Sequence, residues 1–178
     1  MKGKMWFALL ALVFLITGQS WGQKPPETEK EFDEGYQNRI GLEYIDGVYI
    51  PKDLSDALVQ LNKLVDRDSK ASFKSVPEEE AVHKLFFSLG RWITRNWGFY
   101  EGSRLSHSLK GMGIYHPDNM ARFIIRSFHR SLNGQPIDVK GQLEAIAAQQ
   151  EQDRQKRIQQ GTVLYQETRK VKKDTVER

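Results

Sequence analysis

The chain has 178 residues, with 27 basic and 23 acidic side chains, a formal charge of +4 and no cysteine. Without thiols there can be no disulfide, no thiolate nucleophile, no cysteine-ligated zinc or iron–sulfur site, and no lipid attachment through an N-terminal cysteine. The small excess of positive charge gives only a mild general pull toward acidic partners.

Lys2 and Lys4 precede an uninterrupted apolar run from Met5 to Thr17, and the polar stretch G-Q-S-W-G-Q comes after it. Ser20 and Gly22 stand at the small-residue positions expected before a cleavage site. This three-part pattern predicts a secretory signal peptide over residues 1–22 and a periplasmic or extracellular destination, with Gln23 as the new N-terminus. The run is shorter than the roughly 20 residues that span a bilayer. An uncleaved anchor is the alternative, and the sequence has no second run long enough to span. Loss of Lys2 and Lys4 takes the charge from +4 to +2. An exported domain without disulfides must be held together by its hydrophobic core.

Residues 23–41 are polar, with Pro25 and Pro26 and few apolar side chains, and read as a flexible lead-in. Order is expected to begin at L-E-Y-I-D-G-V-Y-I-P, where Asp46-Gly47 between two short β-type runs signals a type I′ hairpin. A lone hairpin is marginal, so it must lie against helices. From Asp53, a candidate N-cap, Leu54, Ala57, Leu58, Leu61, Leu64 and Val65 follow the helical period. D-R-D-S-K-A-S-F-K-S reads as a polar connector, with room for one helical turn. Ser75-Val-Pro-Glu78 has the capping-box pattern, and Glu78, Glu79 and Glu80 suit the positive end of a helix. That helix carries Val82, Leu85, Phe86, Leu89, Trp92, Ile93 and Trp97 on one stripe, with Lys84, Arg91 and Arg95 opposite, and Gly98 ends it.

A shorter helix is predicted over about Ser103 to Lys110, with Leu105 and Leu109 inward and Gly111 or Gly113 as its stop. His116-Pro117-Asp118 starts the next, with proline in the first turn. Its apolar arc is Met120, Ala121, Ile124, Ile125, Phe128 and Leu132. Arg122, Arg126, His129 and Arg130 fall on the far arc, and Asn133-Gly134 stops it. Val139 to Gly161 is a partly solvated helix whose apolar stripe fades after Ala147, and T-R-K-V-K-K-D-T-V-E-R is a basic tail.

The stretches Y-I-P-K-D-L and W-I-T-R-N-W-G, then G-S-R-L, G-I-Y-H-P-D-N-M and L-N-G, together resemble a bacterial family known as a domain of unknown function. They lie at Tyr49–Leu54, Trp92–Gly98, Gly102–Leu105, Gly113–Met120 and Leu132–Gly134. The resemblance implies that residues 42–137 form one domain. It brings no activity, ligand or catalytic residue with it.

Residue chemistry argues against most enzyme classes. Ser106 and His107 are helix neighbours that do not face each other, and no Gly-x-Ser-x-Gly elbow is present. His83, His107, His116 and His129 have no metal-ligand spacing, so neither a metal nor another cofactor is expected. Gly98, Gly102, Gly111 and Gly113 match no phosphate loop and read as helix stops. Helix, turn and basic helix from Ser103 to Arg130 outline a helix-turn-helix. The signal peptide and the long turn speak against nucleic-acid binding. Two acids, Glu101 and Asp118, keep a small glycan or cell-wall hydrolase as an alternative. Arg104 reads as a clamp between aromatic faces and Glu101 at a helix corner.

These readings converge on a mainly α-helical domain with a short N-terminal β-hairpin and a partly solvated C-terminal helix. The expected role is non-enzymatic: a protein-binding or envelope-associated module, with a toxin-neutralising immunity protein as a further alternative. The partner-binding candidates are Tyr100, Glu101, Arg104, Tyr115 and His116, with the basic arc Arg122, Arg126 and Arg130.

Overall fold

The computed structural model describes residues 28–161. The expected signal peptide and the basic tail lie outside them. The chain divides into two units at Gly35. Of the first, the described part opens helix α1 (Glu29–Ile40), where the Glu31 N–H bonds to Thr28 Oγ1 at 3.2 Å. The sequence reads as a lead-in here, and the structure corrects this: α1 runs twelve residues without burying any side chain fully. Its polar surface hides it from a reading based on apolar periodicity.

The second unit begins in the last turn of α1. Strands β1 (Tyr44–Ile45) and β2 (Val48–Tyr49) pair antiparallel with Ile45 opposite Val48. The two turn residues have the positive φ that a type I′ turn demands, 49° at Asp46 and 77° at Gly47. Helix α2 (Leu54–Leu64) starts at Asp53, whose carboxylate accepts the Asp56 N–H at 2.9 Å. It buries Ala57 and Leu61 but leaves Leu64 exposed. The expected connector is instead helix α3 (Arg67–Ser75), capped by Asp66 through the amides of Asp68 and Ser69 and anchored by the buried Phe73.

Helix α4 (Glu78–Leu85) begins after Pro77 without a side-chain cap, so the capping box predicted at Ser75 does not form. Ser75 Oγ instead donates to Ser72 O in the preceding helix. A π turn (Phe86–Gly90), closed by the Arg91 N–H on Phe86 O, joins α4 to α5 (Arg91–Asn96). The extra residue rotates the succeeding turns by one position. Gly90, Ile93, Thr94 and Trp97 thus face the core, while Trp92, expected on the buried stripe, is 37 % exposed.

Gly98, at φ 63°, ends α5 through bonds from its own N–H to Arg95 O and from the Phe99 N–H to Thr94 O. Helix α6 (Arg104–Gly111) is followed by α7 (Pro117–Leu132) and α8 (Val139–Gln160). Helix α7 is the centre of the domain, burying Met120, Ala121, Phe123, Ile124, Ile125 and Phe128. Val139, Leu143 and Ile146 of α8 pack on this core, and from Glu151 the helix is exposed.

Candidate functional site

The predicted residues separate into those that hold the fold and those that face solvent. Ser103 and Ser106 are fully buried and form a reciprocal cap for α6. The Ser106 N–H reaches Ser103 Oγ at 3.2 Å and the Ser103 N–H reaches Ser106 Oγ at 2.8 Å. His107 points elsewhere, with Nδ1 3.2 Å from the Tyr36 hydroxyl. No serine is set against a histidine base here.

Arg104 is a clamp, but with partners other than those expected. Its Nε donates to Ile50 O at 2.7 Å and its guanidinium lies 5.0 Å from the centre of the Tyr49 ring. Its acidic neighbour is Glu43, at 4.0 Å, while Glu101 lies 3.9 Å from Arg39. Arg39 also donates from Nε to Gly102 O at 3.1 Å, tying the end of α1 to the turn before α6. Beneath Arg104, the Tyr49 hydroxyl donates to Asp56 Oδ2 at 2.8 Å, which holds the phenol above its ordinary pKa. Partial burial pushes the Asp56 carboxyl up. Bonds from the Lys52 amide, Tyr49 and Gln60 outweigh it, and the net shift is downward.

The basic arc of α7 is largely spent inside the molecule. Arg126 Nη2 donates to both oxygens of Glu79 at 2.8 Å, and its Nε lies 3.3 Å from Glu78. Arg130 makes a two-point contact with Glu78, from Nε at 2.7 Å and from Nη2 at 2.9 Å, and donates to Ile137 O. The Glu78 hydrogen bond raises the Arg130 pKa. His129, expected on the outer arc, is buried, with Nε2 2.9 Å from Val76 O. Arg122 lies over the Phe86 ring, 3.9 Å from its centre.

What remains outward is aromatic or polar. Tyr100 and Tyr115 are 66 % and 68 % exposed, one before α6 and one after it. His116 caps α7, its Nδ1 accepting the Asp118 N–H at 3.2 Å. His116, Arg122 and Arg126 all border a cleft of about 890 Å³ between α7 and α8. Asp118 and Asn119 complete the α7 wall, and Ile146, Gln149 and Arg157 stand on the α8 side. Also on that side is Arg154, which grips Glu151 at 2.8 and 2.9 Å and draws its carboxyl down to about 2, helped by Gln155. Glu101 is not among the cleft residues, so the two acids of the hydrolase alternative are not gathered in it. Among the described residues, no group of three or more histidine or carboxylate side chains could hold a metal ion. Among them too, no helix is long and apolar enough to cross a membrane.

Sequence reasoning missed Arg154 and Arg157, because α8 lacks a periodic signal, and the π turn with Phe87, which is 59 % exposed. The adjacent pair Phe86-Phe87 was the available clue, since one helix face cannot bury both.

The fold and its surfaces define a small, mainly α-helical domain with an N-terminal hairpin and a polar cleft along its central helix. Residues 50–132 match the family described as "Domain of unknown function (DUF6794)". This range runs from the end of the hairpin to the end of α7, within the domain that the sequence motifs delimit. No curated protein and no solved structure matches the chain.

Proposed function

We propose that the chain is an exported, non-enzymatic protein-binding module of the cell envelope or exterior, and that the α7–α8 cleft is where its partner seats. The observation that carries this reading is the gathering of His116, Arg122 and Arg126 along one cleft, with the amides of Gln149 and Gln150 and the Asp153 carboxylate opposite. Such a lining offers donors and acceptors to a polypeptide segment, with Ile146 as an apolar contact. Interfaces favour arginine beside polar rims in this way. The signal-peptide pattern at residues 1–22 supports an exported partner rather than a nucleic acid.

Immobilised full-length protein should capture a discrete species from an envelope extract, and Arg122→Ala/Arg157→Glu should abolish that capture. Equal capture by wild type and variant, with matching far-ultraviolet circular dichroism, would sink the cleft as the partner site.

A further inference from the structure

From Lys84 onward the exposed positions of α4, the π turn and α5 are Lys84, Phe87, Ser88, Arg91, Trp92 and Arg95, with exposed Glu79, Glu80 and His83 preceding them. A solvent-facing helical stripe ordinarily interleaves both signs of charge and few large apolar groups. This one carries two aromatic side chains and no acid, and the chain has no Asp or Glu between Ala81 and Tyr100. Lys84 is paired with Glu80. Among the described residues, Arg91 and Arg95 have no carboxylate partner. The Arg91 guanidinium lies 5.7 Å from the centre of the Phe87 ring, so cation and aromatic are presented together. The π turn creates this arrangement, because it rotates Trp92 out of the core and leaves Phe87 exposed as well.

We propose that this stripe docks the domain onto an anionic membrane surface. Phe87 and Trp92 enter the boundary between headgroups and acyl chains, and Arg91 and Arg95 pair with lipid phosphates. Aromatic side chains favour that boundary, and basic side chains near it gain from the negative surface potential. From residue 84 to residue 95 the stripe runs about 16 Å at the helical rise, enough to lie along a surface. Phe87, Arg91, Trp92 and Arg95 line neither the α7–α8 cleft nor the apolar cleft beside Phe73 and Phe128. The proposal is independent of the partner assigned to the α7–α8 cleft.

The absence of cysteine gives a direct test in the full-length chain. Ser88→Cys, labelled with the environment-sensitive fluorophore NBD, reads the stripe itself, whatever the N-terminal apolar run does. The same label on Gln135→Cys, an exposed position between α7 and α8, serves as control. The label at residue 88 should shift to the blue on phosphatidylglycerol-containing vesicles and stay unchanged on pure phosphatidylcholine, with no shift at residue 135. Adding Arg91→Gln/Arg95→Gln should raise the lipid concentration for half-maximal shift at least about tenfold, from ~1 kcal/mol for each arginine. No shift at residue 88, an equal shift at residue 135, or an unchanged titration in the arginine variant overturns the proposal. So does a response to soluble poly-glutamate without one to vesicles, which would assign the face to an acidic polypeptide.

Discussion

A β-carbon built on Gly102 would overlap the Tyr36 ring, and the backbone there holds φ at 95°. Gly102→Ala therefore meets two penalties and should lose roughly 2–3 kcal/mol in urea unfolding. Adding Tyr36→Ala should recover the steric part and leave the backbone part, which a double-mutant cycle separates. At Asp56, removal of the carboxylate strands the Tyr49 hydroxyl and the Lys52 amide, and Asp56→Ala should cost about 2 kcal/mol at neutral pH. The native carboxyl titrates below its ordinary value, so the stability it contributes is complete above the ordinary carboxylate range. It is lost as pH falls through the lowered native pKa. The gap between wild type and Asp56→Ala should thus close in acid, below about pH 4. Glu78→Gln leaves two half-buried arginines without their shared carboxylate and should lose about 2 kcal/mol by the same measurement. The sequence picked out Arg104, Arg126 and Arg130 as unusual but not their partners. Glu43, Glu78 and Ile50 lie about fifty to sixty residues away along the chain, where spacing carries no information.

At the scale of elements, periodicity located α2, α6, α7 and the hairpin because each buries a regular stripe or demands a special turn. It failed at α1 and α3, where the apolar signal is sparse and local capping by Asp66 does the work. It also read α4 to α5 as one continuous α-helix. The stripe from Val82 to Trp97 drifts under a strict 3.6-residue period, and the π turn absorbs the drift with one added residue. Deleting Ser88 should convert that turn to ordinary α-helix with Gly90, Ile93, Thr94 and Trp97 still inward, at a cost near 1 kcal/mol. Deleting Arg95, which is also exposed, drags Trp97 out of register and should cost several times more. Thermal unfolding of the two deletions distinguishes them, and equal losses would refute this account of the bulge.

Across the whole molecule, the core of α2, α4, α5, α6 and α7 coincides with the matched range 50–132. Helix α8 lies beyond that range, joined through Asp138, whose φ of 49° turns the chain and whose carboxylate caps the helix through the Gly141 N–H. The fading of its apolar stripe was legible in the sequence; its course beside α7 was not, since no repeating pattern encodes a polar cleft. A stop after Gln150 should leave the unfolding midpoint within about 2 °C, because only exposed described residues are lost. A stop after Gln135 removes Val139, Leu143 and Ile146 from the core and should lower it by about 10 °C or more.

Ile146 is the last side chain of α8 in contact with the core, and fourteen further residues reach Gln160. At the helical rise they make a rod about 21 Å long fixed at one end. A tilt of roughly 10° at Ile146 would carry its tip about 4 Å, more than the width of a side-chain contact. The far wall of the cleft rides on this lever, so the aperture between Arg122 and Arg157 is set by an angle near Ile146. Substitutions remote from the cleft, at Gln142 or Leu143, should alter what fits inside it as surely as changes to its own lining.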